Sequence, residues 1–302
     1  MNAIEIRNLT KTFGEKHALA GLNMTVPMGS IYGFIGENGS GKSTTEKIIC
    51  GLIHPTSGDV KLYGRNHTDP DVRAAVGVLI ESPGCFPGLT VWNNLLIQAT
   101  NLNIKDKENA VRDVLKLVRM EGAASNKYKN CSLGMKQRIG IAMALLGKPK
   151  LLVLDEPING LDADGMRIMR EVLTDITKNN DCTVLVSSHI LGELEKVATH
   201  YGIIRGGKMI REMTAEELEK DCPTFVAIKT KEMSKTKEVL KKKYSKVLND
   251  EQKEYLRIYD AASPEEVVLY LYENNIIVTE LQTDKIGLEE YYINLMNNKE
   301  VK

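Results

Sequence analysis

Gly36-Glu37-Asn38-Gly39-Ser40-Gly41-Lys42-Ser43 fits the pattern G-x-x-x-x-G-K-[ST] at every fixed position. Ile31-Tyr32-Gly33-Phe34-Ile35 before it reads as a short buried strand. Thr44 to Leu52 after it, with Ile48, Ile49 and Leu52 at helical spacing, reads as a helix. Strand, glycine-rich loop and helix in that order make a phosphate-binding loop. Glycines let successive N–H groups wrap an anion, and the first helical turn adds the positive end of its dipole. Gly36, Asn38, Gly39, Ser40, Gly41, Lys42, Ser43 and Thr44 are therefore candidate phosphate contacts, with Lys42 as a point charge and the Ser43 hydroxyl as a ligand for Mg²⁺. A glycine-rich turn that binds nothing is the competing reading, and the full match in its proper context disfavours it.

Upstream, Ile4 to Leu9 alternates apolar and polar residues, and Leu22 to Val26 follows as a second strand. Downstream, Asp59 to Tyr63 and Val76 to Ile80 read as strands, and Glu81 to Gly88, with two Pro-Gly pairs, breaks regular structure. Residues 91–121 turn helical, with Val111, Val114, Leu115 and Val118 on one face, and form an α-helical insertion. Ile139 to Leu146 is another helix. The unbroken apolar run Leu151 to Leu154 fits a strand covered on both faces, hence a parallel sheet. A helix through Met166, Met169, Leu173 and Ile176, a strand from Thr183 to Ser187 and a helix from Ile190 to Ala198 continue a βαβ alternation. Gly206-Gly207 marks a hairpin, and Thr214-Ala215-Glu216-Glu217 opens a short closing helix before Pro223. Beyond it, Phe225 to Thr230, Glu254 to Tyr259 and Ile276 to Gln282 read as strands. Helices lie between and after them, the clearest opened by Ser263-Pro264-Glu265-Glu266. The lysines from Lys235 to Tyr244 read as a solvated helix face, and this tail shows no catalytic constellation.

A chain of 302 residues suits one large domain and one small one. Lys plus Arg equals Asp plus Glu at 40 each, so no net field draws the protein to nucleic acid, and no nucleic-acid partner is expected. The five scattered cysteines show no CxxC or framework spacing and read as reduced thiols of a cytoplasmic protein. No apolar run approaches the ~18 residues of a membrane-spanning helix, and the N-terminus has no signal-peptide pattern.

Leu151-Leu152-Val153-Leu154-Asp155-Glu156 places two acids at the end of a buried strand, where carboxylates need a cation or a proton to handle. Beside a phosphate-binding loop, Asp155 is assigned to Mg²⁺ and Glu156 to the general base. Two acids capping a following helix, with Pro157 next, is the minor alternative.

Cys131-Ser132-Leu133-Gly134-Met135-Lys136-Gln137-Arg138 resembles the signature motif of ABC-type ATPases. Asn159-Gly160-Leu161-Asp162 resembles that family's D-loop, Ser188-His189 its switch histidine, and Phe13 in Lys11-Thr12-Phe13-Gly14 its adenine-stacking aromatic. The resemblance covers about the first 215 residues and rests on six motifs in the right order. It implies an α/β P-loop NTPase domain, residues 1–220, with a β-rich N-terminal part and an α-helical subdomain, followed by a small C-terminal α+β domain, residues 221–302. It further implies ATP as substrate, and a head-to-tail homodimer or heterodimer in which Ser132, Gly134 and Asp162 of one subunit meet the nucleotide of the other. The catalytic set is then Glu156, His189 and Lys42. Integral-membrane permease chains are the implied partners, with the ATPase peripheral at the inner face of the cell membrane.

Two positions depart from the family pattern. Leu133 stands where a glycine is usual, so its Cβ restricts the backbone and crowds the approach of nucleotide. Glu81 replaces the Q-loop glutamine, which is similar to the subgroup that exports bacitracin-like and lantibiotic peptides. Glu81 is assigned to the nucleotide and to Mg²⁺, which would offset its repulsion from a triphosphate. An ABC transporter of other cargo is the nearest alternative. A soluble ABC ATPase of DNA maintenance or translation is the rival from another class, and the single ATPase domain, neutral charge and lack of a coiled-coil insertion stand against it.

Overall fold

Strict alternation of buried and exposed residues in Leu22 to Val26 draws β2 (Lys16–Pro27) into an antiparallel hairpin with β1 (Asn2–Phe13). The computed structural model describes residues 1–180, 182–250 and 254–297, and its chain divides into two compact units, Met1–Ala215 and Glu216–Lys302.

In the first unit β3 (Ile31–Ile35), buried at all five positions, leads through the glycine-rich loop into α1 (Lys42–Ile49). There follow β4 (Ser57–Leu62), β5 (Arg65–Asn66), α2 (Pro70–Ala74) and β6 (Val76–Leu79). The helical insertion contains α3 (Val91–Asn101), α4 (Lys107–Leu117) and α5 (Leu133–Leu145), with 3₁₀ turns at Glu121–Ala123 and Tyr128–Asn130. Then come β7 (Leu151–Leu154), α6 (Ala163–Asn180), β8 (Thr183–Ser188), α7 (Leu191–Leu194), β9 (His200–Arg205) and β10 (Lys208–Thr214). The division between units falls at the start of α8 (Ala215–Asp221), rather than at its end.

β2, β1, β4 and β5 form an antiparallel sheet, and a second sheet runs β10-β9-β3-β8-β7-β6. From β9 to β6 every pairing in it is parallel. β7 is enclosed between parallel neighbours, and all four of its residues are fully buried, as its apolar run requires. Because these strands point the same way, the loops leaving them gather at one edge of the sheet. The register Ile35↔Ser188, Leu154↔Val186 and Leu79↔Leu154 brings residues 36–43, 155–156, 81 and 189 to that edge.

In the second unit an antiparallel sheet runs β12-β13-β11-β14, from β11 (Thr224–Thr230), β12 (Val247–Asp250), β13 (Tyr255–Ile258) and β14 (Val278–Lys285). With it lie α9 (Met233–Leu240), α10 (Pro264–Glu273) and α11 (Leu288–Met296). Its core joins Val226, Ile228, Leu256, Ile258, Val267 and Leu271. The Ser263 side chain caps α10 by accepting from Glu266 N–H, with Pro264 in the first turn.

Several elements differ from expectation. The helix anticipated from Ile190 to Ala198 is helical only over α7. Its next residues form a turn closed by Val197 and Ala198 N–H to Leu194 O. The strand anticipated at Ile276 begins two residues later, because Ile276 N–H still bonds Leu271 O at the end of α10. β12 was not foreseen: Val247-Leu248-Asn249-Asp250 is too short and too polar at its end to show a period.

Candidate functional site

The loop between β3 and α1 needs its glycines. Gly41 stands at φ 115°, and a Cβ on Gly36 would come within 2.5 Å of Ser40 Oγ and 2.6 Å of Ile204 O. Lys42 is buried at 6% exposure, and its Nζ donates to the carbonyls of Gly36 (2.6 Å) and Glu37 (3.2 Å), which holds the charge over the loop. A cavity of about 330 Å³ opens here, lined by Phe13, Asn38, Gly39, Gly41, Lys42, Ser43, Thr44, Asp155 and Glu156. Gly36 and Ser40 shape the loop from behind, and Ser40 Oγ is buried without a partner.

Asp155 Oδ1 accepts from Ser187 Oγ at 2.9 Å and from Ser43 Oγ at 3.5 Å. A carboxylate and a hydroxyl converging beside a phosphate cradle are the oxygen donors a hard divalent cation takes, so these residues fit Mg²⁺. No cluster of three or more His, Cys, Asp or Glu suited to a metal occurs among the described residues, so such a cation would share its shell with phosphate and water.

Glu156 sits in the left-handed region at φ 49°, which costs a non-glycine residue about 1 kcal/mol or more. Three contacts hold it there. Its N–H donates to Ser187 Oγ at 3.2 Å, and its Oε2 lies 3.2 Å from the His189 N–H and 2.8 Å from His189 Nδ1. Ser187 thus bridges both acids, and His189 reaches the site through Glu156.

The remaining assigned residues do not line this cavity. Glu81 lies at φ 66° with its carboxylate 2.8 Å from Lys47 Nζ on α1, so a lysine, not only a cation, can offset its charge. That hydrogen bond and charge hold the Glu81 carboxyl below its ordinary range. Ser132 caps α5 by accepting from Met135 N–H, and Asp162 Oδ1 accepts from Gly165 N–H in the first turn of α6. Leu133 is the first residue of α5 and has an ordinary helical backbone, so its Cβ adds no backbone strain. The crowding falls instead on Gly160, where an added Cβ would lie 2.7 Å from Leu133 Cδ2, and Leu161 lies 3.4 Å from where a Gly134 Cβ would stand.

Four residues escaped the sequence reading. Lys16 and Ala18 line the cavity from β2; the Phe13↔Lys16 pairing across a two-residue turn was the available signal for Lys16. Ser187 is the first of two serines that end β8 after the apolar run Val184 to Val186. Glu46 lies three residues before Ile49 in the buried stripe of α1; it is fully buried, and neither carboxyl oxygen has a hydrogen-bond partner. Burial, and then the charge of Asp155, lift its carboxyl well above the usual carboxylate range, while Ser187 and Lys42 act the other way.

Residues 19–159 match the ABC transporter family. The chain is 36% identical to the bacitracin transport ATP-binding protein BcrA of Bacillus licheniformis, with 97% of each chain covered. It is 40% identical to the lantibiotic transport ATP-binding protein SrtF of Streptococcus pyogenes, over 69% of this chain and 90% of the relative. An ATP-binding cassette solved as a dimer in a post-hydrolysis state with ADP and phosphate superposes with a TM-score of 0.64 at 25% identity, covering 70% of this chain and 98% of that one. The chain belongs to the ATP-binding proteins of the ABC transporter family. It binds and hydrolyses ATP. Among the described residues no helix is long and apolar enough to cross a membrane.

Proposed function

We propose that this ATPase drives export of bacitracin-like or lantibiotic peptides through integral-membrane permease chains, and so gives resistance to them. The observation that carries the reading is full-length similarity to a bacitracin transport ATP-binding protein, at 97% coverage of both chains. Glu81, in place of the usual Q-loop glutamine, agrees with it.

Phe13 stacks on adenine, and the loop N–H groups from Asn38 to Thr44 with Lys42 hold the β- and γ-phosphates. Ser43 and Asp155 would hold Mg²⁺, with Glu81 as an additional oxygen ligand. When bound, that ion neutralises phosphate charge. Glu156 takes a proton from water as its oxygen attacks the γ-phosphorus, and the bond to the β-bridging oxygen breaks to leave ADP and phosphate. His189 orients Glu156 through the contact already present. Ser132 and the Gly134 N–H of a second cassette, at the N-terminus of its α5, meet the γ-phosphate from the other side, with Asp162 completing that interface. A dimeric relative supports this arrangement.

The test joins two measurements. Tagged chain should bring an integral-membrane protein with it on purification from membranes. Cells lacking it should become more susceptible to bacitracin or a lantibiotic, with rescue by the parent chain but not by Glu156→Gln. Copurification with unchanged susceptibility refutes the peptide cargo; loss of copurification refutes the transporter subunit.

A further inference from the structure

We propose that Lys47 is a positioning residue that holds Glu81 outside the nucleotide cavity and yields it to the cation when nucleotide binds. The inference rests on the reading of Ser43 and Asp155 as cation ligands. Lys47 stands four residues after Ser43, on the same face of α1 and one helical turn below its hydroxyl. Glu81 is thus held, 2.8 Å from Lys47 Nζ, by a residue on the face of α1 that carries Ser43.

The backbone around Glu81 is specified as well. The residue is in the left-handed region at φ 66°, a conformation that a non-glycine residue keeps only when its surroundings hold it. The chain on either side is seated on α5: an added Cβ on Gly140 would meet Leu79 Cδ1 at 2.7 Å and Pro83 Cβ at 3.1 Å. Between these anchors the Glu81 carboxylate reaches Lys47 on α1. Its side chain is 71% exposed, so the pair is weak enough to exchange, and Lys47 cancels a charge that would otherwise repel a triphosphate. Lysine and cation compete for one carboxylate. Removing the lysine must then favour the cation.

The experiment is equilibrium binding of a fluorescent ATP analogue to the full chain, titrated with Mg²⁺ at low ionic strength. Lys47→Met should lower the Mg²⁺ concentration for half-maximal binding by about two- to fivefold, the range of an exposed ion pair. Lys47→Arg, which keeps the pair, should leave it in place. In a Glu81→Gln background Lys47→Met should have no effect on the Mg²⁺ midpoint. At about 1 M salt the single-variant shift should vanish. A loss of positive charge acting directly on the phosphates would weaken binding at every Mg²⁺ concentration and persist beside Glu81→Gln, and that outcome overturns the proposal. So does an unmoved midpoint in Lys47→Met when the parent chain depends normally on Mg²⁺. Binding indifferent to Mg²⁺ in the parent would overturn the cation site and the latch together.

Discussion

Around the phosphate loop, Ser40 and Glu46 keep buried oxygens without hydrogen-bond partners. In the second unit the Arg257 guanidinium, 13% exposed, bonds Asp250 through Nε at 3.0 Å and Glu290 through Nη1 at 2.6 and 2.9 Å. There Lys243 and Tyr244 share Glu266, and Lys229 pairs with Glu254. All buried side-chain polar atoms without a partner, among the described residues, lie in the first unit: on Ser40, Glu46, His67 and Gln137. Among the described residues, the unpartnered buried polar atoms thus lie in the unit that holds the phosphate loop, and the second unit pairs its buried polar side chains internally. A region that binds ligands tolerates such groups.

The largest test of this contrast is Glu156→Gln. Hydrolysis should fall by about 10²- to 10⁴-fold while ATP binding persists. Size-exclusion chromatography with ATP and Mg²⁺ should then show a dimer. An unchanged rate would show that the strained glutamate has no chemical task. In the second unit Arg257→Met should destabilise by about 2–3 kcal/mol, less than a wholly buried pair because Glu290 is partly solvated, and should leave nucleotide affinity unchanged. Denaturant melts beside nucleotide titrations check both halves, and a loss of affinity would break the separation.

Glu46→Leu sharpens the comparison from the opposite side. Removing a buried carboxyl without a partner should raise stability by about 1–2 kcal/mol in metal- and nucleotide-free protein. The folded-state carboxyl titrates above its unfolded value, so its stabilising contribution is present below the ordinary carboxylate range and is lost as pH rises through the folded value. The gain from Glu46→Leu should thus be larger at pH 8 than at pH 5, as thermal melts will show; an equal gain at both would place the stabilisation in packing alone. The smallest effect is expected from truncation after Asp221. The remaining chain should stay folded and bind ATP within about twofold of the parent, because every nucleotide contact proposed lies before it. Unfolding on truncation would erase the division altogether.

The phosphate loop, the buried β7 run and the acids at its end were legible because each has a local signal: fixed glycines, unbroken apolarity, charge at the end of burial. β12 and the shortened α7 were not, since short segments depend on the neighbours that pair or crowd them. In the site, Asn38, Asp155 and Glu156 could be read from local pattern and Phe13 through the family resemblance, and all four are found around one cavity. Ser187 and Lys47 act only through the residues they touch, 32 and 34 positions away in the chain, and no spacing rule reaches that far. Glu46 was visible as an acid within an apolar stripe, but its burial is decided by the sheet against which α1 packs.

The sheet order carries a consequence for how the protein is made. β3, which delivers the phosphate loop, is flanked by β8 and β9, whose residues begin only at Thr183 and His200. A ribosome adding about 5–20 residues per second therefore leaves the loop without its flanking strands for roughly 10–30 s after synthesising it. During that interval β3 presents two bare edges of an apolar strand. Nascent chains stopped short of β8 should neither retain ATP nor resist protease, so nucleotide can serve as a report that translation has passed the middle of the chain, never as a template for its beginning.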